Sequence, residues 1–143
     1  MTSNQIHLVV QGEPIAKKRP RFARRGKYVT TYNDQETEEG KFIAQVLFQI
    51  GKHEVIQGPV YVEAGFFVSR PKGHYGTGKN AGVLKASAPK HCLNVKDLDN
   101  YIKFCWDCLN EVVWKDDRQV IQVNAGKWYA DDLPRTEITI IRL

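Results

Sequence analysis

Leu98, Ile102, Cys105, Leu109 and Val112 recur at spacings of 4, 3, 4 and 3, the repeat of an α-helix with one apolar face. This predicts a helix from about Asp99 to Val113. A second stripe, Phe42, Ile43, Val46, Leu47 and Ile50, predicts another over Asp34–Ile50. Asn33 or Asp34 suits its start, Glu36, Glu38 and Glu39 complement the dipole of its first turns, and Gly51 suits its stop. Each stripe needs an apolar surface to cover, and strands supply one. Ile6–Val10, Val60–Val68, Val120–Ala125 and Thr136–Leu143 are short apolar or alternating runs. In the second run Val60, Val62, Ala64, Phe66 and Val68 share one side, while Tyr61 and Phe67 on the other predict partial cover of both faces. A turn near Asp131–Pro134 separates the last two. The expected fold is α+β, a small mixed β-sheet covered by two main helices.

At 143 residues, 42% hydrophobic and 26% charged, the chain has the size and balance of a single globular domain over residues 1–143. No run of about 18 apolar residues marks a membrane span. Met1–Gln5 is polar and lacks the layout of a signal peptide. Three cysteines, an odd number, do not suit a disulfide framework and fit a reducing, intracellular setting.

The net charge of +5 conceals a segregation. Pro14–Tyr28 carries seven cations and no acid: Lys17, Lys18, Arg19, Arg21, Arg24, Arg25 and Lys27. With Pro20 and Gly26 and no helical stripe, it reads as an extended arm or loop. Ser69–Val95 carries five more, Arg70, Lys72, Lys79, Lys85 and Lys90, again with no acid. This second segment is glycine-rich and long enough to be functional or disordered. The rest of the chain sums to −7. An acidic body bearing two cationic segments suits a polyanionic partner, above all nucleic acid. Lys17, Arg19 and Arg21 alternate along an extended arm, so one face of it can track phosphates.

Between the cationic segments and the last strands lies a run of carboxylates: Asp97, Asp99, Asp107, Asp116 and Asp117, with Lys103 among them. Asp97 and Asp99 are two apart, which in an extended segment turns both the same way. Asp99, Lys103 and Asp107 are four apart and share a helical face opposite the apolar stripe. Asp117 follows the helix, so the chain must fold back, through the strand from Val120, for it to meet Asp97. Converging carboxylates suit Mg²⁺, which takes hard oxygen ligands and can activate water and offset charge on a phosphodiester. A lysine beside them can pair with phosphate oxygens. The same residues also suit plainer work: Asp-x-Asp as a helix cap, Asp-Asp as a turn, and Lys103 as a solvated i,i+4 ion pair.

Asp97-Leu-Asp-Asn, Lys103, Asp107, Leu109 and Trp114-Lys-Asp-Asp-Arg-Gln-Val resemble the signature of RusA-type Holliday junction resolvases. Gly12-Glu-Pro-Ile-Ala-Lys-Lys-Arg-Pro-Arg-Phe22 is similar to the N-terminal arm of phage and prophage members, and Lys127 lies where such members often carry a lysine. The resemblance implies a small RusA-like homodimer in the cytoplasm of a bacterial or phage-infected cell. It implies binding to four-way DNA junctions and their resolution by paired symmetric nicks, with Mg²⁺, or Mn²⁺ in its place, and no small-molecule cofactor. By position it makes Asp97, Asp99 and Asp117 the metal-binding carboxylates and Lys103 the catalytic lysine, with Asp116 and Lys127 accessory. The implied chemistry is in-line hydrolysis leaving a 5′-phosphate and a 3′-hydroxyl. The sequence departs from the family form in Asn94-Val95 before the central motif and in the long basic loop.

The competing function is a non-catalytic nucleic-acid-binding module using the same basic segments. Cys105-x-x-Cys108 with His91-Cys92 offers zinc ligands by type, but Cys105 lies on the apolar stripe, which favours burial. Trp106 reads as a core or interface residue. Tyr28, Tyr32 and Tyr75, in or beside the basic segments, are the better candidates for stacking on bases.

Overall fold

The computed structural model describes residues 4–19 and 21–143, and for 21, 22, 25, 30, 31 and 32 the backbone only. Eight principal elements follow one another: β1 (Gln5–Gln11), β2 (Arg21–Arg25), β3 (Tyr28–Tyr32), α1 (Glu36–Ile50), β4 (Val60–Val68), α2 (Leu98–Leu109), β5 (Val120–Tyr129) and β6 (Arg135–Arg142). Four of the strands form a mixed sheet in the order β1-β6-β4-β5. β6 runs antiparallel to both β1 and β4, and β5 runs parallel to β4. The architecture is the expected α+β.

The alternation in β4 does what its pattern requires. Val60, Val62, Ala64, Phe66 and Val68 are buried, and both helices pack on that side of the sheet. Phe66 stacks on Tyr101 of α2 at 5.2 Å, and Phe42 of α1 meets Phe104 of α2 edge-on at 5.7 Å. Leu8, Ile138 and Ile140 close the core from the neighbouring strands. On the opposite face Phe67 is covered by the sheet's own side chains. Trp128 stacks on it at 5.5 Å and the Arg135 guanidinium sits 4.1 Å from its ring. The Trp128 ring lies so close over Gly126 that a Cβ there would stand 2.5 Å from it.

β1 is an outer strand, and α1 closes the C-terminal half of its free edge with two glutamines. The Gln49 amide accepts from Val9 N–H at 3.0 Å and donates to Val9 C=O at 2.8 Å. Gln45, one turn earlier, does the same for Gln11 at 2.8 and 3.1 Å. The i,i+4 spacing of the helix matches every second residue of the strand, so two side chains stand in for a neighbouring strand.

The arm differs from its expected form. Residues 21–32 make a hairpin, β2 paired with β3 around Gly26-Lys27. Gly26 has a φ of +62° at the first central position of this two-residue turn, where glycine is favoured. Its strands are rich in arginine and threonine, so no apolar alternation announced them. The Ser69–Val95 segment also has structure of its own. It has short 3₁₀ turns at Lys72–His74 and Gly78–Asn80 and bridges between Tyr75 and Leu84 and between Gly76 and Ala81. Arg70 fastens it to the sheet, donating to Pro89 C=O at 2.7 Å and lying 4.3 Å over the Tyr129 ring.

α2 stops at Leu109, earlier than its stripe suggests. Asn110 ends it, Glu111 takes a φ of +63°, and Glu111 N–H donates to Trp114 C=O at 2.7 Å. Val113 and Trp114 remain fully buried, so the stripe runs on into a tight turn that serves the same core. At the other helix, Gln35 rather than Asn33 or Asp34 is the N-cap residue. β5 extends past Ala125 to Tyr129, through Gly126. No helix among the described residues is long and apolar enough to cross a membrane.

Candidate active site

α2 and the turn after it position the carboxylates. Asp97 is the N-cap residue of α2 in an extended conformation, yet its side chain makes no capping bond. Asp99 lies in the first turn, so the two carboxylates project from a strand-like residue and a helical one, not from one extended segment. Both are exposed. Lys103, one turn on and 58% exposed, pairs with Asp107 at 3.0 Å.

The Asp116–Asp117 pair divides. Asp116 caps the short turn Asp117–Gln119: its carboxylate accepts from Arg118 N–H at 2.9 Å, and its own N–H donates to Gln119 Oε1 at 2.8 Å. Gln119 in turn donates to Ile56 and Gly58 carbonyls at 2.7 and 2.9 Å, holding the turn against the start of β4. Asp117 points elsewhere. It accepts from the Asn110 amide at 3.1 Å, and Asn110 is oriented by accepting from the buried Trp114 indole at 2.7 Å. Asn110, missed in the sequence, sits four residues before a tryptophan at a helix end, and that spacing is its only signal.

The chain does fold back through β5, but not so as to bring Asp117 to Asp97. Asn110 fixes Asp117 at the C-terminal end of α2, whereas Asp97 and Asp99 stand at its N-terminal end. Twelve helical residues run about 18 Å. What the returning strand does bring is Lys127, which donates to Lys96 C=O at 3.1 Å, directly before Asp97. Among the described residues no three His, Cys, Asp or Glu side chains gather as a metal cage.

The cationic residues separate into two groups. Lys18, Arg19, Arg24, Lys27, Lys72, Lys79, Lys85 and Lys90 are exposed. Lys17 and Arg70 are committed inside the protein, Arg70 as described above. Lys17 Nζ lies 3.1 Å from Asp107 and 3.3 Å from Glu39. Burial acts to lower the Lys17 pKa, but its hydrogen bonds to Asp107 and Glu39 outweigh that, and the ammonium is held above its ordinary value. The side chains of Arg21, Arg25 and Tyr32 lie outside what is described.

The backbone at the root of the arm is held as well. Lys17 N–H donates to Asn100 C=O at 2.9 Å, and the buried Gln35 amide bonds both Ala16 C=O and Lys18 N–H at 2.9 Å. Tyr28 is 77% exposed, and Trp106 packs edge-on against Trp114 at 5.4 Å. Cys92, Cys105 and Cys108 are free and buried. Burial pushes the Cys105 thiol well up and the Cys108 thiol to about 12, so both are inert neutral groups of the core.

A mixed sheet with one helix presenting exposed carboxylates, in a chain that carries two cationic segments, suits a nuclease that acts on a polyanion. Residues 11–141 match the family model for the endodeoxyribonuclease RusA. The chain belongs to the RusA family, and is an endodeoxyribonuclease of the Holliday junction resolvase type. It is also 32% identical over 139 residues to the uncharacterized protein YqaN of Bacillus subtilis strain 168, a match covering 94% of each chain.

Proposed function

We propose that the protein resolves four-way DNA junctions as a homodimer through Mg²⁺-dependent paired nicks, with Asp97, Asp99, Lys103 and Asp117 forming the cleavage site. One observation carries this reading. Asp97 occupies a helix N-cap, where an aspartate ordinarily caps, and leaves that work undone. An exposed carboxylate freed from the local role is available to a ligand, and Asp99 stands beside it. Mg²⁺ is commonly held by one or two carboxylates with several waters completing an octahedron. The donor set at the N-terminus of α2 therefore fits that ion, and Mn²⁺ by the same chemistry. When bound, the ion supplies charge neutralisation at the phosphodiester and activation of water. Lys103, on the same helical face, meets the phosphate oxygens, and the Lys127 contact holds the backbone just before Asp97. In-line displacement at phosphorus leaves a 5′-phosphate and a 3′-hydroxyl.

The position of Asp117 at the far end of α2 supports a site shared between two chains. A second copy whose α2 runs antiparallel alongside would carry its Asp117 to this chain's Asp97 end, and the reverse, giving two equivalent sites. Symmetric interfaces of this kind are self-complementary. Ile121 and Val123, 66% and 43% exposed on the outer strand β5, offer apolar surface for such an interface. The exposed cations of the hairpin and of the 69–95 loop would then flank the junction. A non-catalytic module, in which the aspartates only cap and turn, suits Asp116 but not Asp97.

Incubation with a synthetic four-way junction and a matched linear duplex, with Mg²⁺ and with EDTA, tests the function. Paired symmetric nicks in the junction, lost in EDTA, are expected. Junction binding without cutting, or equal cutting of the duplex, would make the reading wrong.

A further inference from the structure

Asp107 stands between two lysines and uses a different oxygen for each. Its Oδ1 lies 3.0 Å from Lys103 Nζ, and its Oδ2 lies 3.1 Å from Lys17 Nζ. An isolated, exposed i,i+4 pair on a helix is weak and loosely held. This one is not isolated. The Lys103 side chain is 58% exposed, whereas those of Asp107, Lys17 and Glu39 are 25%, 23% and 22% exposed. Lys17 is pinned by Glu39 of α1 at 3.3 Å, and its own backbone is tied to Asn100 of α2 at 2.9 Å. The Asp107 carboxylate is thus fixed by groups on α1, on α2 and at the root of the arm, and it presents one free face, to Lys103.

We propose that Asp107 is a positioning residue for Lys103, that Lys17 holds Asp107 in place, and that Lys17 belongs to the scaffold of the cleavage site instead of the DNA-contacting surface. The proposal rests on reading Lys103 as the lysine that acts at the cleavage site. Its physical basis is that a lysine on a flexible four-carbon stem meets a phosphate usefully only if its ammonium is restrained. Asp107, the more buried of the two, restrains it. Lys17, with two acidic partners, has little charge left to displace counterions from DNA. The residue at which the basic arm begins therefore links that arm to the cleavage lysine through a single carboxylate.

The test uses the full chain, a four-way junction and Mg²⁺, with cleavage measured at saturating enzyme and binding measured separately across a salt series. Lys103→Met is made first. If it cuts at the wild-type rate, the reading of Lys103 fails and the proposal fails with it. Given a slow Lys103→Met, Asp107→Asn should lower kcat by about 10- to 100-fold, leave junction affinity unchanged, and be partly rescued by Asp107→Glu. In the Lys103→Met background Asp107→Asn should cost nothing further. Lys17→Met should slow cutting in the same direction and leave the slope of log K against log salt as in the wild type, since loss of a phosphate contact lowers that slope by about 1. Three outcomes would overturn the proposal with Lys103 still standing: normal cutting by Asp107→Asn, an equal loss from it in both backgrounds, or a reduced salt slope for Lys17→Met.

Discussion

Asp97 and Asp116 are the same side chain at similar places, each at the N-terminus of a helical segment, and their surroundings put them to different uses. Asp116 has a backbone N–H of the following turn within 2.9 Å and a glutamine three residues on to complete a capping box. Asp97 makes no such bond. Substitution should separate them. Asp99→Asn, beside Asp97, is expected to abolish cleavage while junction binding survives, because it removes the charge proposed to ligate the metal and leaves the shape. Asp116→Ala is expected to lower stability by about 1 kcal/mol, the usual value of an N-cap. Nicking assays and urea denaturation check the two together. Normal cutting by Asp99→Asn would refute the site assignment, and unchanged stability in Asp116→Ala would refute the cap.

Elements in this protein are joined by amides as well as by apolar faces. Gln35 bonds the root of the arm, and Gln45 and Gln49 bond the edge of β1. Each glutamine on the β1 edge satisfies one strand N–H and one C=O, so the C-terminal half of the edge is closed to further strands. Gln45→Ala and Gln49→Ala should each cost about 1 kcal/mol. The double variant should also associate through its reopened edge. Urea midpoints and light scattering at matched concentrations check this; a double variant as stable and as monodisperse as the wild type would show that water replaces the amides without cost. The limits of α2 and β5 have element-scale causes too. Val112 and Val113 extend the apolar stripe past the helix because a tight turn, not a further helical turn, carries them into the core. Gly126 interrupts the strand pattern because the Trp128 ring lies on it.

At the scale of the molecule, the distance along α2 bears on how many chains make one site. If a site takes Asp97 and Asp99 from one chain and Asp117 from another, inactive variants should complement each other. Asp99→Asn and Asp117→Asn homodimers should both be dead. A mixed dimer carries one site with both lesions and one with neither. Mixing the two proteins, with time to exchange subunits, should restore cutting at one strand of the junction. No recovery in a mixture shown to contain heterodimers would place each site within a single chain. The exposed cations of the hairpin and the central loop belong to this scale as well, since they lie on separate segments that only the fold sets on one body.

Local pattern was enough for some of this. The 4-3-4-3 stripe of α2, the alternation of β4 and the two acid-free basic segments could be read directly, because helix period, strand period and charge are properties of neighbours in the chain. The RusA signature was legible for the same reason, being carried by short motifs from Asp97 to Gln119. The hairpin at 21–32 was not legible, since its pairing has no apolar alternation. Nor was the division of labour among like residues. That Lys17 faces two acids while Lys18 faces solvent, that Asp116 caps while Asp97 does not, and that β5 returns Lys127 instead of Asp117 to the head of α2 all depend on contacts between residues far apart in the chain. A charge has a sign from its residue type, but its partner and its exposure come from packing, and those set its chemical role.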